Sequence, residues 1–137
     1  MKNFEVKKGV YPTMITPYKN GEIDFDGVRA LVRFYWENGC DGIFAACQSS
    51  EIMFLTLDER VSLVREVVPE AKILAESDSS RPPLMIVASG HVSESLDAQA
   101  EELCRIADEK PDAIILISNR LDIANTSDEA WIADAEK

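Results

Sequence analysis

Five consecutive residues, Cys47-Gln48-Ser49-Ser50-Glu51, place a thiol, an amide, two hydroxyls and a carboxylate directly behind the apolar run DGIFAAC. Hydroxyls and an amide on a tight turn, together with the turn's own backbone N–H groups, can hold a carboxylate or phosphate oxygen. A turn whose serines only satisfy their own backbone is the competing reading, since serine-rich turns are common. His91, the single histidine, follows another apolar run and can serve as a general acid or base, or as a hydrogen-bonded loop residue. Arg120 follows a later run; it can bind an anion but cannot shuttle protons, because a guanidinium stays charged. Cys40, Cys47 and Cys104 have no zinc or redox spacing, and one histidine with scattered carboxylates makes no recognisable metal ligand set.

Four short apolar runs must position these groups: GVYPTMITP from Gly9, DGIFAAC from Asp41, PLMIVASG from Pro83 and DAIILIS from Asp112. None alternates polar with apolar, the pattern of strands covered on both faces in a parallel sheet. Helical patterns separate them. Asp24 can cap a helix with the stripe Phe25, Val28, Leu31, Val32 and Tyr35, and Gly39 suits its end. Thr56 and Glu59 fit a capping box ahead of Leu57, Val61, Val64 and Val68, with Pro69 expected to end or kink that helix. ESDSSRPP reads as an exposed loop. A third helix is expected from Ser93 or Ser95 with Leu96, Ala100, Leu103 and Ala107 as its apolar stripe, and another can start at Ser127. The order β-α-β-α-β-α-β makes a barrel or an open doubly wound sheet, and periodicity does not separate the two. In both, ligands bind outside the carboxyl ends of the strands, where Gln48, Ser49 and Ser50 fall. No G-x-G-x-x-G follows the first strand, which weakens a dinucleotide-binding reading.

The 137-residue chain is 46% hydrophobic and 28% charged, enough to bury a core and too apolar for disorder. Its net charge of −11 repels phosphate backbones and anionic lipid, which argues against nucleic acid and membrane surfaces as partners. Scattered, odd-numbered cysteines and a charged opening segment, MKNFEVKKGV, lead us to expect a soluble cytoplasmic protein with reduced thiols.

The stretch GVYPTMITPYKNGEIDFDGVRALVRFYWENGCDGIFAACQSSEIMFLTLDER resembles the N-terminal part of the dihydrodipicolinate synthase and N-acetylneuraminate lyase family. The matching pieces are the first strand ending in Thr16-Pro17, the G-x-I-D entry to the first helix, Gly39 before the second strand, and Glu51 to Arg60. MIVASGHVSESLDAQAEELCRIADEKPDAIIL is similar to the family's third βα unit and fourth strand, so the similarity runs from residue 9 to about 117. It implies a class I Schiff-base aldolase on a (β/α)8 TIM barrel, here its first four or so βα units. The expected substrate is a small 2-oxo acid such as pyruvate, held without cofactor or metal through a covalent lysine Schiff base, in a homo-oligomer.

Site roles follow from the same resemblance. The family's turn is Gly-Thr-Thr-Gly-Glu or Gly-Ser-Thr-Gly-Glu, and its two hydroxyl residues grip the substrate carboxylate. Those roles fall on Gln48 and Ser49, with Ser50 beside them. Cys47 and Ser50 replace the two glycines, which leads us to expect a bulkier turn with restricted backbone angles. Where the family has a proton-relaying tyrosine after the fourth strand, this chain has Ser118, Asn119 and Arg120. The family's Schiff-base lysine lies on the sixth strand. Lys2, Lys7, Lys8, Lys19, Lys72, Lys110 and Lys137 all fall outside apolar strand runs, where burial could free an amine for attack. A full barrel takes about 250 residues. We therefore expect the N-terminal half of one barrel domain, inactive alone and, with two open sheet edges, marginal, aggregation-prone or dimeric. A non-catalytic binding or assembly protein, or another barrel enzyme, are the alternatives.

Overall fold

The computed structural model describes residues 8–137; Lys2, Lys7 and most of the charged opening segment lie outside them. Three strands, β3 (Gly42–Ala45), β4 (Met85–Ala88) and β5 (Ala113–Ile114), pair in parallel and in sequential order. The register sets Phe44 beside Val87, and Val87 beside Ala113. An extended segment, residues 10–14, adds a fourth rung alongside β3. Its bonds are Gly42 N–H to Val10 O (3.3 Å), Phe44 N–H to Pro12 O (2.9 Å) and Met14 N–H to Phe44 O (3.0 Å). Pro12 has no N–H to give back, so the ladder is interrupted and only the Thr13–Phe44 bridge is complete.

Sequential order with the first three helices on one side resolves what periodicity left open. Ile43, Ala45, Ile86 and Ala88 share one core with Val28, Val32, Val61, Val64, Val67 and Ile106 from the helices. Alternation along the strands turns Phe44 and Val87 to the opposite face. A doubly wound sheet reverses its strand order and covers both faces; a barrel wall does neither. This is a barrel wall.

The helices form for the reasons their sequences suggest. The antiparallel hairpin of β1 (Tyr18–Lys19) and β2 (Glu22–Ile23) turns through Asn20 (φ 56°) and Gly21 (φ 84°) and delivers Asp24 to the start of α1 (Phe25–Glu37). Asp24 accepts from the Gly27 N–H at 3.1 Å, and Val28, Val32 and Trp36 are buried at successive turns. Gly39, at φ 77°, takes the left-handed conformation that ends the helix. In α2 (Leu57–Ser77), Thr56 and Glu59 cap each other reciprocally: Glu59 N–H to Thr56 Oγ1 is 3.3 Å, and Thr56 N–H to Glu59 Oε2 is 2.7 Å. Arg33 of α1 reaches Glu70 of α2 at 2.7 Å, and Arg29 pairs with Glu66. α3 (Leu96–Ala107) starts at Ser95 and α4 (Asp128–Ala135) at Ser127, each serine accepting an N–H three residues on.

Two expectations need correction and a third holds only in part. Of the two outcomes expected at Pro69, an end or a kink, the end does not occur, because α2 continues to Ser77. A mid-helix proline costs about 3 kcal/mol, while burying Val67, Val68 and Ala71 around it returns about 1.5–3 kcal/mol per large side chain. Pro69 is exposed, so the carbonyl it leaves unpaired can meet water. Second, the core face of α3 is Gln99, Glu102 and Ile106, not the stripe Leu96-Ala100-Leu103-Ala107, of which Ala100 and Ala107 are exposed. Buried partners for those two polar residues select the face. Third, the proline-rich stretch is exposed as expected at Ser79, Ser80, Pro82 and Pro83, but Glu76 and Ser77 belong to α2 and Arg81 is tied down. The Arg81 guanidinium lies 4.1 Å over the Trp36 ring, donates to Cys40 O at 2.6 Å and also bonds Trp36 O, satisfying carbonyls at the end of α1.

Candidate functional site

β3 ends at Ala45, and the next residue, Ala46, at φ 46°, breaks the strand and throws the chain into a single 3-10 turn, Gln48–Ser50. Glu51, at φ 61°, leaves it in the left-handed region. The strained backbone therefore sits at Ala46 and Glu51. Cys47 is extended at φ −104° and Ser50 is helical, so side chains at those two positions do not restrict the turn as expected.

Ser50 holds the turn from below. It is 0% exposed, donates to Met14 O at 2.5 Å and accepts from the Cys47 N–H at 3.2 Å. Thr16 Oγ1 donates to the Ser50 carbonyl at 2.7 Å. A hydroxyl has one proton to give, and Ser50 has given it to the first strand. Ser50 is thus placed as the turn's anchor, while Gln48 and Ser49 are exposed. Those two line an open cleft of about 510 Å3 with Thr13, Phe44, Ser118 and Asn119. The first N–H groups of a short helical turn have no acceptor inside it. An amide and a hydroxyl, of Gln48 and Ser49, thus line the cleft at the carboxyl ends of the strands, a donor pair suited to a carboxylate. The Cys47 thiol lies inward, 2% exposed and 3.7 Å from Met14 O.

His91 does not face this cleft. It is 0% exposed, beneath the rim. The Ile117 N–H donates to Nε2 at 2.7 Å, so Nε2 carries no proton; Nδ1–H donates to Gln99 Oε1 at 2.8 Å. With both nitrogens committed the ring has none left for acid–base work on a ligand. Burial pushes its pKa below the ordinary 6.5; the Gln99 bond and Glu102 pull the other way, and Arg120 reinforces the fall. Arg120, in the 3-10 turn Ser118–Arg120, is half-exposed: its guanidinium reaches Met53 Sδ at 3.4 Å and it does not line the cleft. Its carbonyl accepts from Gln99 Nε2 at 2.9 Å.

Sequence reasoning missed a buried ion pair under the same rim. Arg60 of α2 and Glu102 of α3, each 5% exposed, meet at 3.0 Å. Arg60 also bonds Gly90 O, and Glu102 accepts from the N–H groups of Val92 (2.8 Å) and Ser93 (3.1 Å) and from the Ser93 hydroxyl (3.0 Å). Burial alone would raise the Glu102 carboxyl, but those N–H groups, the Arg60 guanidinium and the Ser93 hydroxyl outweigh it and hold the pKa below the usual range. Gln99, Glu102 and Ile106 recur at spacings of three and four. That second stripe was the available signal, hidden because two of its members are polar. Lys8, Lys19, Lys72, Lys110 and Lys137 are exposed and none lines the cleft. Among the described residues, no group of three or more His, Cys, Asp or Glu side chains is placed to hold a metal, and no helix is long and apolar enough to cross a membrane.

Comparison with known proteins decides the family. Residues 6–76, just over half of the chain, match the dihydrodipicolinate synthetase family. The chain belongs to that family. It is 44% identical over 61 residues to the 4-hydroxy-tetrahydrodipicolinate synthase of Methanocaldococcus jannaschii, covering 44% of this chain and 21% of that protein. The enzyme of the same name from Geobacter metallireducens is 33% identical over 112 residues, covering 81% of this chain and 35% of its own length. A crystal structure of a dihydrodipicolinate synthase superposes with a TM-score of 0.79 at 27% identity, covering 95% of this chain and 41% of that one. The chain thus spans well under half the length of these relatives. It forms successive βα units of the family's TIM barrel, and the Gln48–Ser50 turn belongs to the second of them.

Proposed function

We propose that the chain carries the carboxylate-binding rim of a pyruvate-dependent Schiff-base aldolase or lyase acting on a 2-oxo acid. The single observation behind this reading is the split within the turn: Ser50 is consumed as anchor, while Gln48 and Ser49 stand exposed over the cleft at the strand ends. The Gln48 amide and the Ser49 hydroxyl donate to the carboxylate and so orient the neighbouring keto carbon. A lysine amine condenses with that carbon, loses water and leaves an iminium. The iminium accepts the electron pair of the carbanion formed as a C–C bond is made or broken. No lysine among residues 8–137 lines the cleft, so those residues alone supply no such amine and are inactive. Exposed Ile15, Met53 and Phe54 suit a homo-oligomer, the free thiols of Cys40, Cys47 and Cys104 suit a reduced cytoplasmic setting, and the net charge of −11 argues against nucleic acid and membrane partners.

Borohydride reduction of the full-length protein in the presence of pyruvate tests the reading: a covalent adduct on one lysine is expected. Pyruvate titration gives the rim's share. Ser49→Ala and Gln48→Leu should each weaken binding about 10- to 150-fold, the worth of one hydrogen bond to a charged group. No adduct with any 2-oxo acid would reject the aldolase. Pyruvate binding without an adduct would instead favour a binding protein on the same scaffold, which the absence of tyrosine from Ser118-Asn119-Arg120 also suits.

A further inference from the structure

We propose that His91 is the positioning residue of the rim: its Nδ1-protonated ring fixes the segment Ile117–Arg120 so that Ser118 and Asn119 stand opposite Gln48 and Ser49 across the cleft. The ligand consequence rests on the carboxylate reading above; the structural part stands without it. Three elements meet at the imidazole. The loop after β4 supplies the ring, α3 supplies Gln99, and the segment after β5 supplies the Ile117 N–H.

The ring extends a sheet that has otherwise run out. Ile115 N–H bonds Ala88 O at 2.8 Å, the last backbone bond running from this segment to β4. Beyond Ala88 the β4 chain turns away through Gly90, at φ 117°. The next N–H with the same orientation, that of Ile117, would then lack a carbonyl, and His91 Nε2 takes the carbonyl's place at 2.7 Å. Gln99 closes the loop, accepting from Nδ1 and donating to Arg120 O at 2.9 Å. Both ends of the Ile117–Arg120 segment are therefore tied to one buried ring, directly or through one amide. Ser118 and Asn119, between the ties, are exposed and line the cleft.

The arrangement works in one protonation state only. A proton on Nε2 would set an N–H donor against the Ile117 N–H, and that bond would be lost. The charged groups around the ring are Glu102 of α3, Arg120 of the segment itself, and Asp97, Asp134 and Lys137, which line with His91 a second, separate cavity between α3 and the chain's end; Glu102 is itself paired with Arg60 of α2.

The test is nuclear magnetic resonance on the full-length protein. At neutral pH the imidazole should show a protonated Nδ1 and a hydrogen-bonded, unprotonated Nε2. As pH falls and the ring titrates, the amides of Ile117 to Arg120 should lose exchange protection by about tenfold or more, while the α2 amides keep theirs. His91→Phe preserves bulk and removes both bonds; it should show the same loss at neutral pH, with no further change on acidification. If that variant does not fold, the wild-type titration decides alone. An Nε2-protonated ring at neutral pH, or protection at 117–120 indifferent to its titration, overturns the proposal. Pyruvate affinity is the second arm. If wild type binds pyruvate and His91→Phe binds it equally well, His91 does not position the rim. Wild-type protein that binds no pyruvate counts against the carboxylate reading alone, and the exchange arm then judges the clamp.

Discussion

Glu102→Leu should destabilise the protein severely. The carboxylate takes four hydrogen bonds, from Arg60, the Val92 and Ser93 N–H groups and the Ser93 hydroxyl, and both it and Arg60 are 5% exposed. Removing one member of a buried pair strands the other charge, at about 3–5 kcal/mol. The two N–H groups add less, because Val92 and Ser93 are half-buried and water can reach them. Against a total stability of about 5–15 kcal/mol, a loss of this size is about a fifth or more of the whole. Urea unfolding reads it directly as a fall in midpoint at constant slope. Arg60→Met with Glu102→Leu replaces both charges by apolar groups and should recover much of the loss, but not all, since Gly90 O, Val92 N–H and Ser93 N–H keep no partner. The pH dependence has a definite sign. A folded-state pKa below the ordinary 4.5 means that the contribution is complete above that value and disappears as pH falls through the folded one. A Glu102→Leu variant within about 1 kcal/mol of wild type, or a double-mutant cycle with no coupling to Arg60, would refute the reasoning.

Ser50→Ala should cost about 1–3 kcal/mol, because it leaves Met14 O without its 2.5 Å donor and the Cys47 N–H without an acceptor in a fully buried place; thermal melting measures it. Pro69→Ala should stabilise by about 1–3 kcal/mol, since it restores an N–H to the Arg65 carbonyl on the exposed side of α2 and relieves the ring's clash there. A destabilised Pro69→Ala protein would show that the proline ring fits the helix better than the straight ladder does.

What was legible in the sequence is what short-range chemistry decides. Asp24, Thr56 with Glu59, Ser95 and Ser127 each cap the helix they were expected to cap, because a side-chain oxygen reaching an N–H two or three residues on is a local event. Gly39 is likewise where α1 turns left-handed. Choices made by distant partners were not legible. The face of α3 is set by Arg60 and His91, 42 and 8 residues from their partners Glu102 and Gln99, and apolar periodicity pointed to the wrong stripe. Pro69 defeated a sound local rule because its neighbours are held by packing from α1 and the sheet. Within the turn, counting hydroxyls could not separate Ser49 from Ser50. Their difference lies in which one the Met14 carbonyl meets, 36 residues away.

Those distant bonds share one location, and that bears on how a shallow rim can be specific. Below the strand ends the wall is held by apolar packing, which has no preferred direction and would tolerate small shifts of β3 against β5. Between that packing and the cleft lies a layer of buried polar contacts: Ser50 to Met14, Thr16 to Ser50, His91 to Ile117 and Gln99, and Glu102 to Arg60 and the loop after β4. Each is directional within a few tenths of an ångström, and an unpaired member would be costly. Gln48 and Ser49 stand on one end of this layer, Ser118 and Asn119 on the other. The exposed residues need make no contact with one another to keep their spacing. On the proposed carboxylate reading, substitutions in the exposed positions should therefore change which acid is bound, whereas substitutions in the layer should change how well any is held.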